Sequence, residues 1–162
     1  MKFKVFVFDL DETLWTVSDG LCTLVKPPFR LETPDRLVGK DGMWVELFPG
    51  VRDLLKFLHT KKKCYVSLAS RNDEEPTLAL LEGLGIKQYF DFPQLYWKPK
   101  DEAIKKILKD IQKRDKVVLK PDEVLYIDDW PENVAPVRRM GASALVFGQD
   151  VHTFEELMGL LQ

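Results

Sequence analysis

The stretch Lys2 to Thr13, KFKVFVFDLDET, constrains this chain more than any other: an apolar run of strand-forming residues stops on two carboxylates separated by one leucine. Val5, Phe6, Val7 and Phe8 are β-branched or aromatic without interruption, the pattern of a strand buried on both faces of a parallel sheet. Asp9 then falls at the carboxyl end of that strand. Open α/β sheets bind ligands beyond the carboxyl ends of their strands, so acids placed there are expected to face a substrate and not the core. With side chains alternating at period two, Asp9 and Asp11 point to one side and Leu10 to the other. Two carboxylates on one side suit a hard divalent cation such as magnesium. They also suit a division of roles, in which one attacks as nucleophile and the other holds and returns a proton. Taken alone, Asp-Leu-Asp-Glu is equally a polar strand end leading into a turn.

The rest of the chain alternates strand and helix patterns. Leu14 to Phe48 is broken repeatedly by Asp19-Gly20, Pro27-Pro28, Pro34, Gly39 and Asp41-Gly42, with short strands expected at Leu21 to Val25 and Phe29 to Thr33. It reads as a hairpin-like flap. Pro49-Gly50 opens a helix with Val51, Leu54, Leu55 and Leu58 on one stripe. Cys64 to Ala69 reads as a buried strand, Leu78 to Leu84 as a helix, and Phe90 to Tyr96 as a short strand interrupted by Pro93. Asp101 is the expected N-cap of a helix carrying Ile104, Ile107, Leu108 and Ile111 on one face and lysines on its solvated side. Glu123 to Ile127 is a further strand, followed by a helix from Pro131, a strand at Ser143 to Phe147 and a terminal helix at Phe154 to Leu161. This alternation predicts an α/β fold, a three-layer, doubly wound parallel sheet of Rossmann-like form, with the strand ends converging on one edge. Residues 1–162 read as a single domain, with 14–48 as a small flap insertion and no large cap.

Four polar clusters, in order, carry a resemblance. Asp9-Leu10-Asp11-Glu12-Thr13-Leu14 follows a buried strand. Ser70-Arg71 ends the second strand, where a hydroxyl and backbone N–H groups can meet a phosphate oxygen. A lysine precedes the later helix, as Lys98-Pro99 or as Lys100. Tyr126-Ile127-Asp128-Asp129 ends a strand on adjacent carboxylates, which are costly to bury without a cation or a dense hydrogen-bond network. Together these resemble the four motifs of the haloacid dehalogenase superfamily of phosphohydrolases over essentially the whole chain, nearest to its magnesium-dependent phosphatase branch.

The resemblance implies a phosphatase acting on phosphate monoesters. Asp9 becomes the nucleophile and forms an aspartyl-phosphate, and Asp11 becomes the acid and base. Thr13 holds the motif's turn on the substrate side. Ser70 and Lys100 bind the phosphoryl group, with Arg71 adding a contact or serving only as a surface ion pair. Lys98 is the alternative motif lysine; Lys100 is favoured because a helix start fixes its side chain. Magnesium is expected on Asp9, Asp11 (including its backbone carbonyl) and Asp129, with Asp128 in support. Two other readings are a dehalogenase, which the acid at position 11 disfavours, and a non-catalytic binding protein that keeps the fold.

Composition permits this and narrows the partners. The chain has 162 residues, 45% hydrophobic and 31% charged, enough for one domain with its own core. A formal net charge of −2, from 24 basic and 26 acidic residues, gives no reason to expect nucleic acid or an anionic membrane as partner. No apolar stretch approaches the roughly 18 to 20 residues of a membrane span, so a cytoplasmic protein is expected. Cys22 and Cys64 lack zinc-ligand spacing and are read as reduced, with Cys64 in the core. The short flap predicts an open site that accepts phosphate on bulky carriers, such as phosphotyrosine in peptides or proteins, or sugar phosphates. Trp15 or Trp44 on the flap is expected to touch the leaving group.

Overall fold

The computed structural model describes residues 2–162. In chain order its elements are β1 (Val5–Phe8), β2 (Trp15–Val17), β3 (Arg30–Thr33), β4 (Arg36–Val38), β5 (Trp44–Leu47), α1 (Val51–Lys56), β6 (Tyr65–Ser70), α2 (Glu74–Gly83), β7 (Gln94–Leu95), α3 (Lys100–Asp115), β8 (Val124–Asp128), α4 (Pro131–Arg139), β9 (Ser143–Val146) and α5 (Phe154–Leu161). The uninterrupted apolar run of β1 takes the central place of a parallel sheet ordered β7-β6-β1-β8-β9. Chain order reverses direction at β1, between β6 on one side and β8 on the other. This is the switch point at which open sheets leave a crevice.

The two faces of β1 belong to two separate cores, which is why the run has no polar member. Phe6 and Phe8 pack with Leu54 and Leu55 of α1, Leu80 and Leu81 of α2, and Phe154 and Leu157 of α5. Val5 and Val7 face Ile104, Ile107 and Ile111 of α3 and Val134 and Val137 of α4. Each such buried side chain contributes about 1.5–3 kcal/mol relative to exposure. Parity then decides what the strand ends present. Asp9 continues the Val5 and Val7 side, and Asp128 continues the Val124 and Tyr126 side, so both carboxylates emerge toward the start of α3.

Residues 14–48 form a four-stranded antiparallel sheet ordered β2-β5-β4-β3. Its inner residues, Trp15, Leu37, Val45 and Leu47, join the core that contains Phe6 and Phe8. The strand expected at Leu21 to Val25 is corrected: Cys22–Leu24 is a 3₁₀ turn. Cys22 and Val25 are both buried while Leu21 and Leu24 are exposed, a three-residue spacing that a helical turn satisfies and an alternating strand does not. The expected N-cap is also displaced. Pro99, with extended backbone, precedes the first residue of α3, Lys100, and Asp101 lies in the first turn, where its charge favours the helix dipole. Cys22, not Cys64, is the fully buried thiol; both are free. Among the described residues no helix is long and apolar enough to cross a membrane.

Candidate active site

The site is built where the ends of β1, β6 and β8 meet. The backbone N–H of Asp9 donates to the Ile127 carbonyl at 3.0 Å, holding the end of β1 against β8. Beyond Asp9 the chain wraps tightly, and the Leu10 carbonyl accepts from the N–H groups of both Thr13 and Leu14 at 2.9 Å. Glu12 occupies the left-handed region at φ 62°, which costs a residue with a Cβ roughly 1–2 kcal/mol. Such local strain is kept where the surroundings fix it, commonly at functional sites. The turn swings the Asp11 carboxylate away from Asp9. The Trp15 indole donates to Asp11 Oδ1 at 2.7 Å, and the Asn72 amide donates to Oδ2 at 3.1 Å.

Asp9, Asp128 and Asp129 gather instead, each offering an oxygen within 4.8 Å of the others. They differ in how they are occupied. Asp128 accepts from the Tyr126 hydroxyl, the Trp130 N–H at 2.9 Å and the Asn133 amide at 3.0 Å, and is fully buried. Among the described residues Asp129 accepts only from the Thr13 hydroxyl, at 3.0 Å, while its own N–H donates back to Thr13 Oγ1 at 3.2 Å. Thr13 is wholly buried and ties the ends of β1 and β8 together. The cation facing all this is Lys100, 3% exposed, whose Nζ lies 3.1 Å from Asp9 Oδ1 and 3.8 Å from Asp128 Oδ2 and also donates to the Ala69 carbonyl. Lys98 turns the other way, donating to the Tyr96 hydroxyl at 3.3 Å and lying over that ring.

Three carboxylates around one ammonium leave an excess of negative charge. Burial pushes the Asp9 carboxyl up to about 7, opposed by Lys100 and reinforced by Asp128 and Asp129. Burial raises Asp128 too, again against Lys100. A carboxyl whose folded pKa exceeds its unfolded one binds a proton in the fold that it releases on unfolding. The associated stability is complete below the unfolded value of 3.8 and is lost as pH rises to about 7. In chelator, Asp9→Asn is therefore expected to gain on the wild type in melting temperature between about pH 4 and pH 7, and the gap should level off above. A gap constant with pH, measured by thermal melts, would mean that Asp9 titrates as an ordinary surface acid.

A cleft of about 360 Å³ opens over these groups, lined by Asp9, Asp11, Ser70, Asn72, Asp128 and Asp129 below and by Leu21, Arg71 and Trp130 toward its mouth. Ser70, 3% exposed, sits at the end of β6. Arg71 donates to Asn133 Oδ1 at 3.2 Å and lies beside the exposed Trp97 ring, 5.7 Å from its centroid. Trp15 and Trp44 do not line the cleft, which corrects the expectation of a flap tryptophan at the leaving group. Trp15 is fully buried with its N–H committed to Asp11, and Trp44 lies beneath the Arg36 guanidinium at 4.0 Å. The apolar groups at the mouth are Leu21 and Trp130, each 58% exposed. Sequence reasoning did not single out Asn72, Leu21 or the bracing role of Trp15. The only signal was Trp15's four-residue step from Asp11, the separation of neighbours across a tight turn.

Residues 2–158 match the family model described as acid phosphatase. Human magnesium-dependent phosphatase 1 is 25% identical over 142 residues, 88% of this chain and 76% of that protein. Among solved structures, a haloacid dehalogenase superfamily hydrolase from Ehrlichia chaffeensis superposes with a TM-score of 0.70 at 14% identity, covering 98% of this chain and 95% of that one. A phosphatase domain from Bacteroides fragilis, solved in complex with magnesium, gives 0.64 at 17% identity, covering 99% of this chain and 40% of that one. At these identities the structural likeness establishes the fold, and the family match covers nearly the whole chain.

Proposed function

We propose that this chain, which belongs to the acid phosphatase family and is a phosphatase of the haloacid dehalogenase superfamily, hydrolyses phosphate monoesters through a covalent intermediate on Asp9. The observation that carries the reading is the meeting of Asp9, Asp11 and Ser70 around one cleft, from two strand ends, with Lys100 of a helix start 3.1 Å from Asp9. An Asp9 carboxylate oxygen attacks phosphorus, the ester P–O bond breaks, and its electron pair leaves on the alcohol oxygen, which takes a proton from Asp11. Asp11, now ionised, accepts a proton from water. That water attacks phosphorus, breaks the bond to Asp9 and releases inorganic phosphate. Ser70 donates to a phosphoryl oxygen, and Lys100 lowers the repulsion between nucleophile and phosphate.

The residues present fit a hard divalent cation, because clustered carboxylates offer only oxygen ligands and outnumber the ammonium beside them. The named magnesium dependence of the human relative supports magnesium as that cation. Asp9, Asp129 and the backbone carbonyl of Asp11 would hold it, while Asp128, already accepting from Tyr126, Trp130 and Asn133, positions its neighbours. When bound, the ion supplies positive charge between the anionic nucleophile and the anionic phosphate. Asp129→Ala is accordingly expected to weaken magnesium binding at least about ten-fold, and Asp128→Asn, which keeps the side-chain volume, by less. Calorimetric titrations giving the reverse order would exchange these two roles.

The open cleft, with Leu21, Arg71 and Trp130 at its mouth, supports substrates whose phosphate is borne on a bulky carrier, such as a phosphotyrosyl peptide or a sugar phosphate. The direct test is hydrolysis of p-nitrophenyl phosphate with and without magnesium, followed by phosphopeptides beside small metabolite phosphates. Magnesium-dependent release of phosphate is expected. No turnover of any ester would overturn the reading in favour of a binding role for the fold.

A further inference from the structure

Asn72 touches both ends of the proposed chemistry. Its amide Nδ2 donates to Asp11 Oδ2 at 3.1 Å and to Ser70 Oγ at 2.9 Å, and its backbone N–H donates to the same Oγ at 3.3 Å. The amide turns its nitrogen, and not its oxygen, toward both Asp11 and Ser70. A hydroxyl has two lone pairs and one hydrogen. With both lone pairs of Ser70 Oγ receiving N–H groups from Asn72, the remaining hydrogen is available only as a donor toward the cleft. An anion entering there meets a hydroxyl already set to donate. Asp11 is held at the same time, one oxygen by Asn72 and the other by the Trp15 indole at 2.7 Å.

We infer that Asn72 is the positioning residue of this site, presetting the Ser70 hydroxyl as a phosphate donor and aiming the Asp11 carboxylate for proton transfer. The inference rests on the phosphatase reading above and adds to it a residue in the middle of the β6–α2 loop. It separates Asn72 from Trp15, because Trp15 braces Asp11 alone.

Two measurements test it on the intact protein. The first is titration of inorganic phosphate in magnesium. Asn72→Ala is expected to weaken phosphate binding about ten-fold, because it removes the Nδ2 donor that helps to set the Ser70 hydroxyl toward a charged ligand and leaves only the backbone N–H contact. Asn72→Asp should weaken it further, since its carboxylate accepts the Ser70 hydrogen instead of directing it outward. Trp15→Phe should leave phosphate affinity near that of the wild type. The second is the ratio of kcat for p-nitrophenyl phosphate, whose leaving group needs little protonation, to kcat for phenethyl phosphate, whose alkoxide needs a proton. Asn72→Ala and Trp15→Phe should both raise that ratio, by about ten-fold, because both loosen the acid. A loss that only lowered the amount of folded enzyme would scale both substrates alike. Unchanged phosphate affinity in Asn72→Ala and Asn72→Asp, together with an unchanged ratio, would overturn the assignment. A wild type that turns over neither ester would overturn the phosphatase reading instead, and phosphate affinity would then decide the role of Asn72 alone.

Discussion

Asp9→Asn is expected to lower hydrolysis of p-nitrophenyl phosphate by roughly 10³-fold or more while leaving the protein folded and at least as stable at pH 8. The two halves of that expectation come from the same geometry. An amide oxygen can still accept from Lys100, so the contact at 3.1 Å survives in kind, but a carboxamide cannot form the acyl phosphate that the proposed first step requires. Meanwhile the substitution removes a carboxylate that burial holds at about 7, beside Asp128 and Asp129, and so relieves charge that the fold carries at a cost. On the proposed mechanism, with Asp9 as nucleophile, the site should become more stable and inert together. Acid quenching with labelled substrate separates this from a binding defect: the wild type should retain label on the protein, and the variant none. Appreciable turnover in the variant would remove Asp9 as nucleophile, and loss of activity with loss of folding would make it a structural acid.

The parallel sheet was legible because a strand buried on both faces leaves no room for polar alternation, and Val5 to Phe8 contains none. The candidate acids were legible for the complementary reason, since a carboxylate at the end of such a run has nowhere to go but the strand-end crevice, as with Asp9 and Asp128. Parity within the strands also brings Tyr126 onto Asp128 at a two-residue step. What escaped were groups whose place depends on irregular backbone. Asp11 turns to Trp15 and Asn72 only because Glu12 adopts a left-handed conformation, and no periodicity announces that. Leu21 reaches the cleft because Cys22–Leu24 coils into a 3₁₀ turn where strand-forming residues had indicated extension. Tertiary burial of Cys22 and Val25 overrode local propensity there. Trp44 illustrates the reverse, a large aromatic near a motif that stacks with Arg36 and leaves the cleft alone.

Lys100→Met is expected to be the most disruptive substitution for fold and function together, and Lys98→Ala nearly silent. The methionine keeps most of the buried stem but removes the ammonium that compensates Asp9 and Asp128. Removing one member of a buried ion pair costs about 3–5 kcal/mol, which for a protein of this size lowers the melting temperature by about 10 °C. The Ala69 carbonyl also loses its donor. Turnover should fall by roughly 10²–10³-fold, since charge placed in advance against the reacting group is worth most where water is excluded. Lys98 donates to a tyrosine hydroxyl away from the cleft, and its removal should change stability by no more than about 0.5 kcal/mol. Magnesium distinguishes a structural from an electrostatic loss. If the missing charge is what matters, saturating magnesium should restore much of the melting temperature of Lys100→Met, because the ion supplies positive charge to the same carboxylates. Turnover should recover far less, because the phosphoryl contact proposed for the ammonium is still missing. Equal, small losses in Lys98→Ala and Lys100→Met would mean that neither lysine faces the reacting group, and that the compensation of Asp9 seen in the fold serves stability alone.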